Sequence, residues 1–477
     1  MKSSARKRVR EEAGTSPKVR PPRGPHDVFF KWLLGITQRD FFKQYFEQKP
    51  LHVSHGTAAH FTNPPAGLPA VEWSTGMMLR LVAEKTLSYT ADVNVVRFDK
   101  AQNKRVPYCV EGVVTAKEMR KCMEPHGWSV RFLRPHEHVA TNSALISVME
   151  EIFGCYCGLN SYWTAAGSQG FAPHYDDVDV FLLQLEGEKE WRLYDPPEAV
   201  DVLSRHSSED YVPQQLPQPT QTLCLVPGDV LYMPRGTVHQ GRTFDHTHSL
   251  HVTFSANQMN TWADLIKCAV THAAEKLAAN HVAWRTSLPR CLLKTLGAVH
   301  HPVFRADSGV APLTEKQQRQ RRILQTKYRE LAAELSLYVS SEASIDECCD
   351  LYARDTVAKL QPPLRVSTAA HAEGRITGDT VVRLVSSNCA RVVLDTAGEA
   401  QVYHSCGNSP VCLEQPVGLL RFELDFAPAL ATIMSASARG VCASQLPFPA
   451  FDNADDIQAN QVTLVKALLD AGIIVTV

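Results

Sequence analysis

No Cys-x-x-Cys pair occurs among the thirteen cysteines, and the only close ones are Cys155 with Cys157 and Cys348 with Cys349. An odd count without zinc spacing excludes a disulfide framework and a sulfur-rich zinc site, and it points to reduced thiols in cytosol or nucleus. There is no secretory signal and no apolar run long enough to span a bilayer, so a membrane is not an expected partner. Neither charge is in excess, at a formal net of −1. What the chain does have is a core: 477 residues at 44% hydrophobic are enough for two to four domains of roughly 100–200 residues each.

The chemistry concentrates in one stretch. His174-Tyr175-Asp176 is followed by Lys189, fifteen residues after the histidine, and by His239, 63 residues after the aspartate. Two histidines and a carboxylate are the ligand set of a facial triad, which binds Fe(II) on one face and leaves sites open for a co-substrate and O₂. Zinc prefers a closed tetrahedral set, often with sulfur, and no thiol stands in this motif.

Strand parity supports the set. Residues two apart share a face of a strand, so His174 and Asp176 point together if 172–178 is extended, and Tyr175 points away. Residues 181–185 read as an apolar strand. Lys189 to Tyr194 alternates strictly, with Lys189, Trp191 and Leu193 inward. A lysine on an apolar face either meets an anion or snorkels to water along its stem, and alternation alone leaves both open. Val230 to Met233 and Ser249 to Ser255 are further strands, the latter with His251, Thr253 and Ser255 on one face. Asn160, Tyr162 and Thr164 share a face likewise. One inward histidine is usually a satisfied core residue. An inner face that gathers Asn160, Tyr162, His174, Asp176, Lys189, His239, His251 and Ser255 costs on the order of a few kcal/mol per unpaired group, and a site accounts for it more economically. Short strands with Gly/Pro turns and this inner face predict a double-stranded β-helix of jelly-roll or cupin type.

The runs NSYWTAAGSQGFAPHYDDVDVFLLQLEGEKEWRLY, LVPGDVLYMPRGTVHQ and HSLHVTFS, with FFKQYFEQKPLHV upstream, resemble the JmjC-type ribosomal oxygenases. That family comprises nuclear and nucleolar Fe(II)/2-oxoglutarate enzymes described as bifunctional histidyl hydroxylases and histone-lysine demethylases, with bacterial relatives that hydroxylate arginine. The resemblance runs from about Phe29 to the C-terminus and is strongest from Arg131 to Ser255. It implies that His174, Asp176 and His239 are metal ligands and catalytic residues. Lys189 then pairs with the distal carboxylate of 2-oxoglutarate, Asn160 helps fix that end, and His251 is a further co-substrate contact. Arg131, Tyr162 and Ser255 lie near the target side chain, although Arg131 read alone is equally a surface arginine. Trp163 to Gly167 departs from the more proline-rich stretch of the family. The implied reaction uses O₂ and decarboxylates 2-oxoglutarate to succinate while hydroxylating a nearby C–H. On a histidine β-carbon the alcohol persists; on an N-methyl carbon it collapses to formaldehyde and free lysine. The implied function is hydroxylation of a histidine in a ribosomal protein, with demethylation of histone H3 lysines, or arginine hydroxylation, as alternatives.

The remaining sequence divides by composition. Residues 1–26 carry Lys2, Arg6, Lys7, Arg8, Arg10, Lys18, Arg20 and Arg23 among prolines and serines and read as a disordered basic tail. The cluster at 6–10 is either a nuclear signal or a solvated face, and the resemblance favours nucleus and nucleolus over cytoplasm. Residues 27–260 form the expected oxygenase domain. Within 261–362, Trp262, Leu265, Ile266, Ala269 and Val270 recur at helical spacing, and Ile323, Leu324, Tyr328, Leu331 and Leu335 form a second apolar stripe behind a basic face. The family places a helical dimerisation domain here, which implies a homodimer. Residues 363–477 mix short strands (378–384, 390–394) with helices (428–437, 457–471) and end in an apolar run; the family has a winged helix in this place. From Arg365 onward six Arg and one Lys face eleven Asp and Glu, so phosphate binding is not expected. The overall class is α+β.

Overall fold

The computed structural model describes residues 25–99, 101–196, 202–301, 311–364, 376–395, 398–409, 411 and 418–477. The basic N-terminal cluster lies outside them. Among the described residues, eleven strands build the larger domain: β1 (Leu51–Ser54), β2 (Val93–Asp99), β3 (Lys104–Pro107), β4 (Ser129–Leu133), β5 (Gly158–Thr164), β6 (Asp179–Gly187), β7 (Lys189–Tyr194), β8 (Gln221–Leu225), β9 (Asp229–Met233), β10 (Val238–Thr243) and β11 (Ser249–Ala256). The large sheet runs β1-β9-β6-β11-β5-β4-β2-β3 and the small one β10-β7-β8, with antiparallel pairing throughout.

Strand β6 shows why the sheets close on each other. It is buried from Asp179 to Leu185, with an apolar run at Val180–Leu183, as a strand covered on both faces should be. Val180 and Leu182 face inward onto Trp191, Leu193 and Leu225 of the small sheet. Phe181, Leu183 and Leu185 face outward into the main core. There Phe41, from a helix at Gln38–Gln44, lies 5.7 Å from Phe181 and 4.9 Å from Tyr232, ring to ring. Thr37 starts that helix by accepting the Asp40 amide at 3.1 Å, an N-cap. The β6–β7 hairpin requires glycine at Gly187, whose φ is +60° and whose missing Cβ would meet the His248 carbonyl oxygen.

Asp179, wholly buried, ties the entry segment to the barrel. It accepts from Tyr232 Oη at 3.1 Å, Arg235 Nη1 at 3.1 Å and Asn257 Nδ2 at 2.9 Å, while Arg235 also pairs with Glu47 at 2.7 Å. Asp179→Ala would leave Arg235 undercompensated in the interior. We expect a loss of about 3 kcal/mol, at the low end for a broken buried pair because Glu47 remains. Urea unfolding measures it, and an unchanged midpoint would contradict this role.

The second region is helical, with long helices at Trp262–Asn280, Glu315–Val339 and Glu342–Val357. The stripe expected to form one face of Glu315–Val339 divides. Leu324 is buried within the chain, whereas Ile323 and Tyr328 are exposed. Neighbouring residues sit about 100° apart on a helix, so Ile323 and Leu324 cannot share a narrow face. On the first helix Ala269 is buried, while Trp262, Ile266 and Val270 reach solvent.

Among the described residues the C-terminal region holds two three-stranded sheets. One is β16 (Val441–Cys442), β12 (Val381–Leu384) and β17 (Ile474–Thr476); the other is β13 (Ala390–Leu394), β14 (Glu399–His404) and β15 (Gly418–Glu423). Helices Ala427–Met434 and Ala454–Asp470 pack on them around a separate core. The strand expected from 378 begins only at Val381. This region docks onto the helix Ala140–Phe153, where Asn388 Nδ2 donates to the Glu151 carbonyl at 2.9 Å.

Candidate active site

Along β10 the inward positions are His239, Gly241 and Thr243. Residues 172–178 are not the strand that parity suggested. Pro173 has no N–H to give a ladder, and only a single bridge joins His174 to His239, with N–O distances of 3.1 and 2.8 Å. That bridge is enough to set the imidazoles side by side, ring centroids 4.6 Å apart. His174 Nδ1 donates to the Ala172 carbonyl at 2.7 Å and His239 Nδ1 to the Thr237 carbonyl at 2.9 Å. A carbonyl only accepts, so each Nδ1 carries a proton, which in a neutral ring leaves the Nε2 lone pair free for a metal.

Asp176 lies between the two Nε2 atoms, at 3.8 Å from that of His174 and 3.7 Å from that of His239, and the three donor atoms fall within 4.8 Å of one another. Burial pushes His239 down to about 4, with His174 adding to the effect. Burial works against ionised Asp176, but His174, His239, Arg131 and Arg105 outweigh it and hold the carboxyl below its usual range. Neutral imidazole and ionised carboxylate are the forms a metal binds, and this donor set suits Fe(II). The neighbouring acids are committed elsewhere: Asp177 accepts from Ser207 and Gln258, and Asp179 is in its buried network.

Lys189 is buried, not snorkelling. Its Nζ donates to Thr164 Oγ1 at 3.1 Å and stands 5.2 Å from the Trp191 ring. Among the described residues no carboxylate pairs with it, and burial alone pushes it down to about 7. A Cβ on Gly241 would come within 3.0 Å of Lys189 Cε and 3.2 Å of the Trp191 ring, so glycine there keeps the lysine's space open.

Arg131, Tyr162 and His251 are register partners across β4, β5 and β11. Their side chains therefore form one row on the inner face. The Tyr162 and His251 rings stack at 4.9 Å and 10°. His251 is buried with Nδ1 unpartnered and is pushed well below its usual value by burial and then by Lys189. Asn160 is four residues from Thr164 on the same face, about 13 Å along the strand. The residue beside the Lys189 ammonium is Thr164. Ser255 lies farther out still, its hydroxyl over Gly158.

Several residues here had no assigned role. Thr164 and Gly241 were findable by parity with Tyr162 and His239. Phe171 packs on Tyr162 at 5.6 Å and on His174 at 5.9 Å. Arg105 lies 4.6 Å from the Phe171 ring and pairs with Asp210 at 2.7 Å. The strap carrying Asp210 is bound down by Tyr211 N to the Pro173 carbonyl and Ser208 N to the Tyr175 carbonyl. It flanks the triad.

Residues 132–265 match the JmjC domain family, and residues 354–477 match the C-terminal winged helix domain of ribosomal oxygenase 1. The chain is similar to the bifunctional lysine-specific demethylase and histidyl-hydroxylase NO66 of Dictyostelium discoideum, at 31% identity over 91% of this chain and 79% of that protein. It is similar to the protein of the same name from Culex quinquefasciatus, at 29% identity over 94% of this chain and 66% of that one. Among solved structures it is similar to the Escherichia coli ribosomal oxygenase YcfD, at 15% identity and a TM-score of 0.45, covering 93% of this chain and 99% of that chain. Identity of this extent with the Dictyostelium protein, over most of both sequences, establishes kinship: the chain belongs to the family of bifunctional lysine-specific demethylases and histidyl-hydroxylases, JmjC-domain oxygenases that use 2-oxoglutarate.

Proposed function

We propose that this chain is an Fe(II)- and 2-oxoglutarate-dependent oxygenase that hydroxylates a histidine side chain of a ribosomal protein. The observation that carries the reading is Lys189, a buried amine with no carboxylate paired to it among the described residues, in the same chamber as an open His174, Asp176 and His239 set. A buried cation of this kind is expensive unless a ligand compensates it, and a dicarboxylate co-substrate does.

His174, Asp176 and His239 would hold the metal, with both imidazole protons kept at Nδ1 on backbone carbonyls. Lys189 and Thr164 would take the far carboxylate of the co-substrate, and His251, stacked on Tyr162, would line its flank. With Fe(II), 2-oxoglutarate and O₂ bound, the centre supplies an oxidant able to break an unactivated C–H bond. Trp191, Phe171 and Tyr162 exclude water around it. Tyr162 and Arg131 border the space where a target side chain would enter. The relatives' names give both lysine demethylation and histidyl hydroxylation, and the match to the ribosomal oxygenase winged helix favours the second, on a ribosomal substrate. Mass spectrometry of ribosomal proteins from cells with and without this protein tests the reading. A histidine that gains one oxygen only in its presence is expected; identical histidine masses in both would overturn it.

The helical region supports a homodimer, the commonest closed assembly. Trp262 and Ile266, 82% and 51% exposed, lie one turn apart and offer an apolar face. Leu324 is already covered within the chain and does not contribute to this face. Charging the exposed pair, Trp262→Glu with Ile266→Glu, should yield a folded monomer by light scattering and circular dichroism. A dimer that survives this change contradicts the interface.

A further inference from the structure

We propose that the N-terminal half of helix Glu315–Val339 is a docking surface for RNA, held by a stripe of cations on its outer face. The oxygenase reading above enters only in the choice of RNA over DNA, because a ribosomal-protein target has RNA as its companion.

The charge of this segment departs from that of the whole chain. Residues 315–329 hold Lys316, Arg319, Arg321, Arg322, Lys327 and Arg329 against Glu315 alone, in a protein of formal net charge −1. Two of the six are engaged: Arg321 Nη1 donates to the Thr295 carbonyl at 2.8 Å, and Lys327 pairs with Glu330 at 3.9 Å. Lys316, Arg319, Arg322 and Arg329 are exposed, and among the described residues no carboxylate pairs with them. Exposed arginines elsewhere have one: Arg242 has Glu190, Arg391 has Asp350 and Arg421 has Glu399. At about 100° per residue, the four free cations fall within an arc of about 140° and along about 20 Å of axis. They lie on the side away from the buried Leu324, with the exposed Ile323 among them.

The helix gains nothing from this arrangement. Cations are unfavourable near the positive, N-terminal end of the helix dipole, and the negative end carries no basic residue in its last turn. Lys316, Arg319 and Arg322 follow at steps of three, so surface neighbours repel one another. A face that serves solubility alone mixes both signs. A bound polyanion relieves both the dipole and the repulsion.

Two copies of the stripe meeting across a two-fold axis would set like charges together, so the stripe stays outside a homodimer contact. An acidic protein would be anchored by aromatic or aliphatic side chains in a pocket, whereas a convex helix face offers a row of charge. Guanidiniums grip phosphate with paired N–H groups, and a row of them matches the repeating charge of a phosphate chain. The region beyond Arg365, where acids outnumber bases, does not supply this contact.

The test is fluorescence anisotropy of a labelled single-stranded RNA of mixed sequence with the full chain, repeated between 50 and 200 mM salt. Four phosphate contacts predict a slope of about −3 or steeper in log affinity against log salt, a loss of roughly 50-fold over that range. Arg319→Gln with Arg322→Gln should flatten the slope by about 1.5 and weaken binding by about tenfold or more at 100 mM. Glutamine is a good helix former, and circular dichroism checks that the helix is kept. Arg39→Gln with Arg439→Gln removes the same charge at two exposed arginines outside the stripe and should leave the slope unchanged. A slope unchanged in Arg319→Gln with Arg322→Gln overturns the proposal and moves phosphate binding to the basic N-terminal tail. Tighter binding of DNA of the same sequence, or displacement of the RNA by poly-glutamate at equal charge, overturns it as well. Hydroxylation of a free target peptide should be equal in wild type and both double variants. Stripe-dependent RNA binding in a protein that hydroxylates no histidine would overturn the oxygenase reading and leave the RNA surface standing.

Discussion

His174→Ala and Asp176→Ala should each abolish turnover, by about a thousandfold or more, while leaving the fold intact. Each removes one of the three protein donors found among the described residues, and neither has a substitute nearby. Asp177 is held by Ser207 and Gln258, and Asp179 is locked beneath Arg235. Stability should hardly change, because the Asp176 side chain is 37% exposed and that of His174 16%, so little packing is lost. Metal-binding calorimetry and 2-oxoglutarate consumption read the two consequences separately. Asp177→Asn is the control and should retain both. Turnover near the wild-type rate in either alanine variant would remove the metal assignment.

The second large effect concerns Lys189. Lys189→Ala should weaken 2-oxoglutarate binding by roughly 30- to 1000-fold, the size expected when one partner of a buried charge pair is removed. Lys189→Met should do the same while melting at the wild-type temperature or above it. It fills the stem's volume and relieves the apoprotein of a desolvated amine. The pH dependence follows from the same residue. Burial holds the free lysine at about 7, and only its protonated form attracts a dicarboxylate that stays ionised throughout. Co-substrate affinity should therefore be greatest below pH 7 and fall by up to about tenfold per unit above it. Lys189→Met should show a flat profile. Equal affinity in mutant and wild type, or no fall from pH 7 to 9 in the wild type, contradicts the pairing.

The set of His174, Asp176, His239 and Lys189 was legible in the sequence because chemistry and spacing agreed there. Even so, parity gave the right facing for the wrong reason: 172–178 is an irregular segment held by one bridge, with Pro173 inside it. Thr164 and Gly241 sit at positions whose parity was readable, but a threonine and a glycine have no distinctive chemistry until Lys189 is seen between them. Arg105 and Asp210 were not readable at all. They reach the site from the β2–β3 hairpin and from a strap beyond β7, and nothing local marks either. The helical stripe failed for a geometric reason, since consecutive Ile323 and Leu324 were placed on one face. In the C-terminal region β14 and β15 were missed: Glu399–His404 alternates but holds only two aliphatic residues, and Gly418–Glu423 lacks clean alternation between apolar and polar residues.

The central claim is tested most directly by incubating the purified protein with Fe(II), 2-oxoglutarate and isolated ribosomal proteins under ¹⁸O₂, with succinate and peptide masses followed together. The account predicts one heavy oxygen atom on a histidine, in step with succinate formation and absent without 2-oxoglutarate. Succinate and formaldehyde with no labelled histidine, or a histidine oxygen drawn from water, would contradict it.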